Sequence, residues 1–212
     1  MNNMKKSLEE QSQKIQKFNS KQIALHEKNM TEEDLNESVS EMKSLLTKQD
    51  IKYLLEQQEK LDRDIRKEHG ISDTEWKLMD DEHEIALRVE VAEFVNACYK
   101  SWKYWKKKTM DRQAILDEAV DVIHFLMLGW NKEDLKNEAL TYVTEYFNDV
   151  EVVKSQRDAM KCLKAMLVVD NALDTLSYLL IVLDFYDFDR KQIMQAYKDK
   201  NKVNFERLAG GY

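Results

Sequence analysis

No proline occurs anywhere in these 212 residues, and only four glycines do: Gly70, Gly129, Gly210 and Gly211. Proline and glycine are the strongest punctuators of local structure, so a chain this poor in both reads as all-α. Its length suits one domain or one and a half, with ample material for a core. The longest mainly apolar stretch, residues 176–183, falls far short of the roughly 20 residues a bilayer span needs. The first twenty residues are polar and do not resemble a secretory signal.

Along the chain, residues 1–46 are polar and charged with little to bury. They read as an extension of one or two exposed, partly mobile helices, with a capping-box-like start at Thr31-Glu32-Glu33-Asp34. Residues 47–212 read as the main domain. A helix over 47–67 carries Ile51, Leu54, Leu55, Leu61 and Ile65 near helical spacing and closes at Gly70. A new start follows at 72–75. Helices over 82–105 and 111–129 form an antiparallel hairpin, and Asn131 caps a further helix to about 147. The apolar region 160–184 completes the bundle or supplies a dimer face. Asp189 starts a last helix, 190–208.

The hairpin carries two acidic pairs, Glu90/Glu93 and Glu118/Asp121. Residues three apart are rotated by about 300° on a helix, so each pair lies on one face about one turn apart. Both pairs sit inside apolar runs, and none of the four acids has a Lys or Arg at i±3 or i±4. Clustered carboxylates beside a core repel one another and lose hydration, so a positive charge is required among them. A hard divalent cation such as Mg²⁺ suits carboxylate oxygens. His124, one turn beyond Asp121, reads as a hydrogen-bonding pocket residue rather than a ligand.

Between the pairs, residues 101–108 interleave aromatic and basic side chains: Trp102, Lys103, Tyr104, Trp105, Lys106, Lys107, Lys108. Acids that hold metal with lysines beside them suggest a polyphosphate ligand. Near the end, Lys200, Asn204 and Arg207 fall at i, i+4 and i+7 on one helical face, an arrangement suited to clamping phosphates. Gln57 and Gln58 fall near the apolar stripe of the 47–67 helix; a glutamine there either is simply exposed or uses its paired donor and acceptor to read a nucleobase edge.

Five ordered blocks then resemble the dimeric all-α dUTPases of phage and bacterial type, within the superfamily of MazG-like and dCTPase-dUTPase pyrophosphohydrolases. They are Gln58-x-x-Leu61-Asp62, Glu90-x-x-Glu93, Trp102-Lys103-x-Trp105-Lys106, Glu118-x-x-Asp121 followed by His124-Phe125, and Lys200-Asn201-x-x-Asn204-x-x-Arg207-x-x-x-Gly211-Tyr212. The resemblance implies a MazG-like all-α fold and hydrolysis of dUTP to dUMP and pyrophosphate. It also implies that Glu90, Glu93, Glu118 and Asp121 hold two or three Mg²⁺ ions, with Mn²⁺ as a substitute. Lys103, Lys106, Lys200 and Arg207 would contact the triphosphate. Gln58 and Asn204 would read uracil with Asn201 close by. Trp105 would wall the pocket, and His124 and Phe125 would sit against the deoxyribose. Metal-activated water would attack the α-phosphate, with Glu90 as proton acceptor.

The resemblance further implies a homodimer in which both subunits shape the pocket, and keeping uracil out of DNA as the physiological role. Phage relatives bind repressors of mobile genetic islands, which makes a repressor protein a candidate partner at the site mouth or the variable region, about 132–164. Residues 1–46 have no counterpart in the family core, and Leu208 replaces a polar residue expected after the arginine. Two competing readings are a pyrophosphohydrolase acting on dCTP or other nucleotides, and a helical interaction module with surface carboxylates. A di-iron carboxylate bundle wants Glu-x-x-His on two helices, and only one helix here has a suitable His. The net charge of −7 disfavours direct nucleic-acid binding. Cys98 and Cys162 lack metal spacing and fit a reducing cytoplasm, with no membrane association expected.

Overall fold

The computed structural model describes residues 45–132 and 156–211. The expected extension 1–46, with its start at Thr31, lies outside the described residues except for Leu45 and Leu46. Most of the variable region 132–164, and the helix expected from Asn131 to about 147, lie outside them as well. The described chain forms seven α-helices in order: α1 Lys48–His69, α2 Asp73–Leu78, α3 Asp80–Ala97, α4 Arg112–Lys132, α5 Gln156–Met166, α6 Ala172–Phe185 and α7 Arg190–Ala209, with a 3-10 turn Tyr99–Ser101 after α3. No strand occurs among the described residues. None of the described helices is long and apolar enough to cross a membrane.

Local chemistry fixes the ends of these helices. Thr47 caps α1 through a capping box with Asp50, and Asp189 caps α7 through one with Gln192. Asn171 caps α6 by accepting from the Leu173 and Asp174 N–H groups. Gly70 closes α1 at φ +65°, and a Cβ there would meet nothing within 4 Å. The demand for glycine at that position is therefore torsional rather than steric.

Helix α4 is the centre of the bundle. Ile115, Leu116, Ala119, Val120, Val122, Ile123, Leu126, Met127 and Trp130 are all buried, so α4 is covered on several sides. It packs against α3, α1, α7 and α6. Helix α3 contributes a single stripe, Val91, Phe94, Val95 and Cys98, at i, i+3, i+4 and i+7. That stripe turns Glu90 partly inward beside α4.

Two expectations are corrected and one alternative is resolved. The helix expected over 82–105 stops at Ala97. The Val95 carbonyl in its last turn is taken by the Trp102 indole N–H at 2.9 Å, which folds the chain back after the 3-10 turn. Asn131 does not cap a new helix. It lies in the last turn of α4 and donates to the Leu55 carbonyl at 2.9 Å. Of the two roles open to the apolar region 160–184, completing the bundle is the one observed: Leu176, Leu179, Leu180, Val182 and Leu183 are buried in the core of their own chain.

Asp50 joins two helix starts. It completes the α1 capping box and accepts from two nitrogens of Arg190 at the start of α7. Arg190 and Thr47 together hold its carboxyl below the usual range against the opposing effect of burial. Asp50→Ala removes both a cap and a two-pronged charge-assisted bond. It is expected to cost about 2–3 kcal/mol in denaturant unfolding; Asp50→Asn, which keeps part of the cap, loses less.

Candidate active site

The α3–α4 hairpin brings the acidic pairs together. Glu90, Glu118 and Asp121 each direct one oxygen to a common point, all within 4.8 Å of one another. Glu93 stays exposed at the rim, close enough to raise the proton affinity of Glu90 and Glu118. Burial first, then the charges of Asp121, Glu93 and Glu118, push Glu90 up to about 7. Glu118 is raised by burial, then by Glu93 and Asp121. Burial raises Asp121, and Lys200 opposes that rise. The three inner groups are half-dry carboxylates with convergent oxygens, a donor set that fits a hard divalent cation.

A positive charge already lies among them, from a part of the chain that helical spacing cannot reveal. Lys200 on α7 extends to Asp121, Nζ to Oδ2 at 2.6 Å, with the two side chains 27% and 19% exposed. Arg207, two turns further along α7, also lowers the Asp121 proton affinity. Lys200 and a bound cation would therefore compete for Asp121. Lys200→Met is expected to destabilise the metal-free protein by about 1–2 kcal/mol. The same change should tighten Mn²⁺ binding in a titration without nucleotide.

The aromatic and basic segment forms a folded loop rather than a helix end. Lys103 donates to Asn96 Oδ1 and lies over the Trp102 ring. Trp105 is 60% exposed and meets Trp102 and Tyr104 edge-on. The Lys106 ammonium lies 4.1 Å from the centre of the Tyr99 ring. Ser101 donates to the Tyr186 hydroxyl, which donates to the Cys98 carbonyl, and this ties the loop to the end of α6.

Beneath the acids, α1, α4 and α7 enclose a polar chain. Gln58 is buried, its Nε2 donating to Asp62 Oδ1 at 2.6 Å and its Oε1 meeting His124 Nδ1 at 2.7 Å. His124 is buried and stacks on Tyr197, with ring centres 4.3 Å apart. Its Nε2 has no hydrogen-bond partner among the described residues. Phe125, one residue on, points elsewhere and lines a cavity of about 480 Å³ with Leu87, Val91 and Trp130. His124 and Phe125 thus face different spaces. Asn201 is buried with its Oδ1 unpartnered, beside a groove it shares with Tyr53, Gln57 and Phe205. Asn204 lies partly buried on α7, between Lys200 and Arg207.

A family model described as dUTPase matches residues 50–212, which spans every acidic, basic and polar residue of this site. The chain belongs to the dUTPase family. This dUTPase acts on dUTP, and its all-helical architecture is that of the family's all-α branch. No curated protein matches the chain.

Sequence reasoning missed the Lys200–Asp121 pair and the Asp62–Gln58–His124 chain. Half of the latter was visible, because Gln and Asp at i and i+4 are a known helical pair. His124 reaches them only through packing of α4 on α1.

Proposed function

We propose that this dUTPase hydrolyses dUTP to dUMP and pyrophosphate in a Mg²⁺-dependent reaction, with Glu90, Glu118 and Asp121 as inner ligands and Glu93 beside them. The observation that carries this reading is the convergence of three carboxylate oxygens within 4.8 Å at a partly dry site. Mg²⁺ held by these carboxylates would neutralise the triphosphate and make water a stronger nucleophile toward the α-phosphate. Glu90, whose oxygen converges with those of Glu118 and Asp121, is the proposed proton acceptor. Lys200 exchanges Asp121 for phosphate oxygens when substrate binds, joined by Arg207 from the same helix. Lys103 and Lys106 add positive charge from the loop, and Trp105 provides a wall. Gln58, Asn201 and Asn204 are the uracil-side groups.

The deciding assay measures pyrophosphate release from dUTP, dCTP, dTTP and UTP. Release from dUTP alone supports the uracil-selective reading. Equal release from dCTP moves the enzyme to the broader pyrimidine class and contradicts that selectivity.

A homodimer is the proposed assembly. Ile85 and Val89, one turn apart on α3, are 64% and 48% exposed, a surface suited to self-association. Light scattering of the purified protein tests it. The exposed Tyr104 and Trp105 at the loop support a protein partner there, such as a repressor. Competition between dUTP and that partner would be the test. Cys98 and Cys162 are both buried and unpaired, which supports a cytoplasmic setting.

A further inference from the structure

The polar chain under the acids has a direction, and one residue sets it. The His124 ring is buried, and burial together with Lys200 drives its proton affinity down to about 3. The ring is therefore neutral and carries one hydrogen. Its Nδ1 faces Gln58 Oε1 at 2.7 Å. An amide oxygen only accepts, so the hydrogen is on Nδ1 and the unpartnered Nε2 is a bare acceptor. Gln58 holds its oxygen toward His124 because its nitrogen donates to Asp62 Oδ1 at 2.6 Å. Ionised Asp62, the form that prevails above its value of about 7, can only accept, so the Gln58 nitrogen is the end that faces it. Tyr197 fixes the ring plane by stacking at 4.3 Å.

We propose that Asp62 is a positioning residue for substrate: through Gln58 it locks His124 in the Nδ1–H tautomer, so that Nε2 presents a buried acceptor to a hydrogen-bond donor of the nucleoside. This rests on the dUTP reading above. The nucleoside part of dUTP has two donors, the uracil N3–H and the 3′-hydroxyl. His124 follows Asp121 by one turn on the same face of α4, and Lys200 of α7 holds Asp121 at 2.6 Å, so the ring lies one turn from the acidic site. Without Asp62, the Gln58 amide can turn over, donate to Nδ1 and move the ring hydrogen to Nε2. The acceptor then becomes a donor facing a donor, a mismatch that a buried site does not tolerate.

The test compares wild type, Asp62→Asn and Asp62→Leu in the full-length chain at pH 8. Two-bond ¹H–¹⁵N correlation of the His124 ring reads the tautomer without substrate. Wild type and Asp62→Asn, whose amide oxygen still accepts from Gln58, are expected to show Nδ1–H. Asp62→Leu is expected to lose it. In kinetics, Asp62→Leu should lose about 10–100-fold in kcat/KM, mostly through KM, with Asp62→Asn within about threefold of wild type. That penalty should vanish for whichever analogue lacks the relevant donor, N3-methyl-dUTP or the 3′-deoxy analogue, which identifies the group. An Nε2–H tautomer in wild type, or a tautomer unchanged in a folded Asp62→Leu, overturns the proposal. So does a kinetic penalty that persists with both analogues. Absence of dUTP hydrolysis by wild type contradicts the underlying function instead and leaves the tautomer measurement standing by itself.

Discussion

Glu118→Ala should yield a folded protein that hydrolyses dUTP at least about 10³-fold more slowly than wild type, because it removes one of three convergent oxygens on which charge neutralisation depends. The same change should not weaken the metal-free fold. Glu118 is held half-buried beside Glu93 and Asp121, which raise its proton affinity together with burial. Its charge is therefore unfavourable in the native state, and removing it relieves repulsion. Loss of activity with an unchanged or higher melting temperature in EDTA, measured by circular dichroism, distinguishes a site residue from a structural one. Parallel loss of activity and fold would indicate that the carboxylate supports the bundle instead.

The second large effect is a melting temperature that depends jointly on pH and on divalent ion. Glu90 has an ordinary value of 4.5 and a native value of about 7. Between those values the folded state holds more protons than the unfolded one, so stability in EDTA falls as pH rises through that window and levels off above it. A bound divalent cation favours the ionised carboxylates and reverses this preference. Mg²⁺ at about 100 times its dissociation constant should then raise the melting temperature by about 5–10 °C at pH 8, and by much less at pH 5. Asp62, raised by burial to about 7, keeps a residual slope of the same sign with Mg²⁺ present, and Asp62→Asn removes it. A Mg²⁺ effect equal at both pH values would show that these carboxylates do not bind the ion.

What the sequence disclosed follows from what is local. Helix type came from missing breakers, and the starts at Thr47 and Asp189 and the stop at Gly70 came from capping chemistry within a few residues. The acidic pairs were legible because i and i+3 share a face, and the α3–α4 hairpin followed from two amphipathic runs in succession. The end of α3 at Ala97 was hidden, because it depends on an indole reaching back seven residues to Val95. Lys200 on Asp121 spans 79 positions and His124 on Gln58 spans 66; pairing of that kind is decided by packing rather than periodicity. The burial of 176–183 was ambiguous for a related reason. An apolar stripe is the same whether its cover is the chain itself or a partner.

The most direct test of the central claim is product analysis of dUTP incubated with the purified protein in Mg²⁺ and in EDTA. The account predicts dUMP and pyrophosphate in equimolar amounts with Mg²⁺, and neither in EDTA. Release of dUDP and orthophosphate would place the attack at the wrong phosphorus. Undiminished hydrolysis in EDTA would contradict the assignment of Glu90, Glu118 and Asp121 to a catalytic metal.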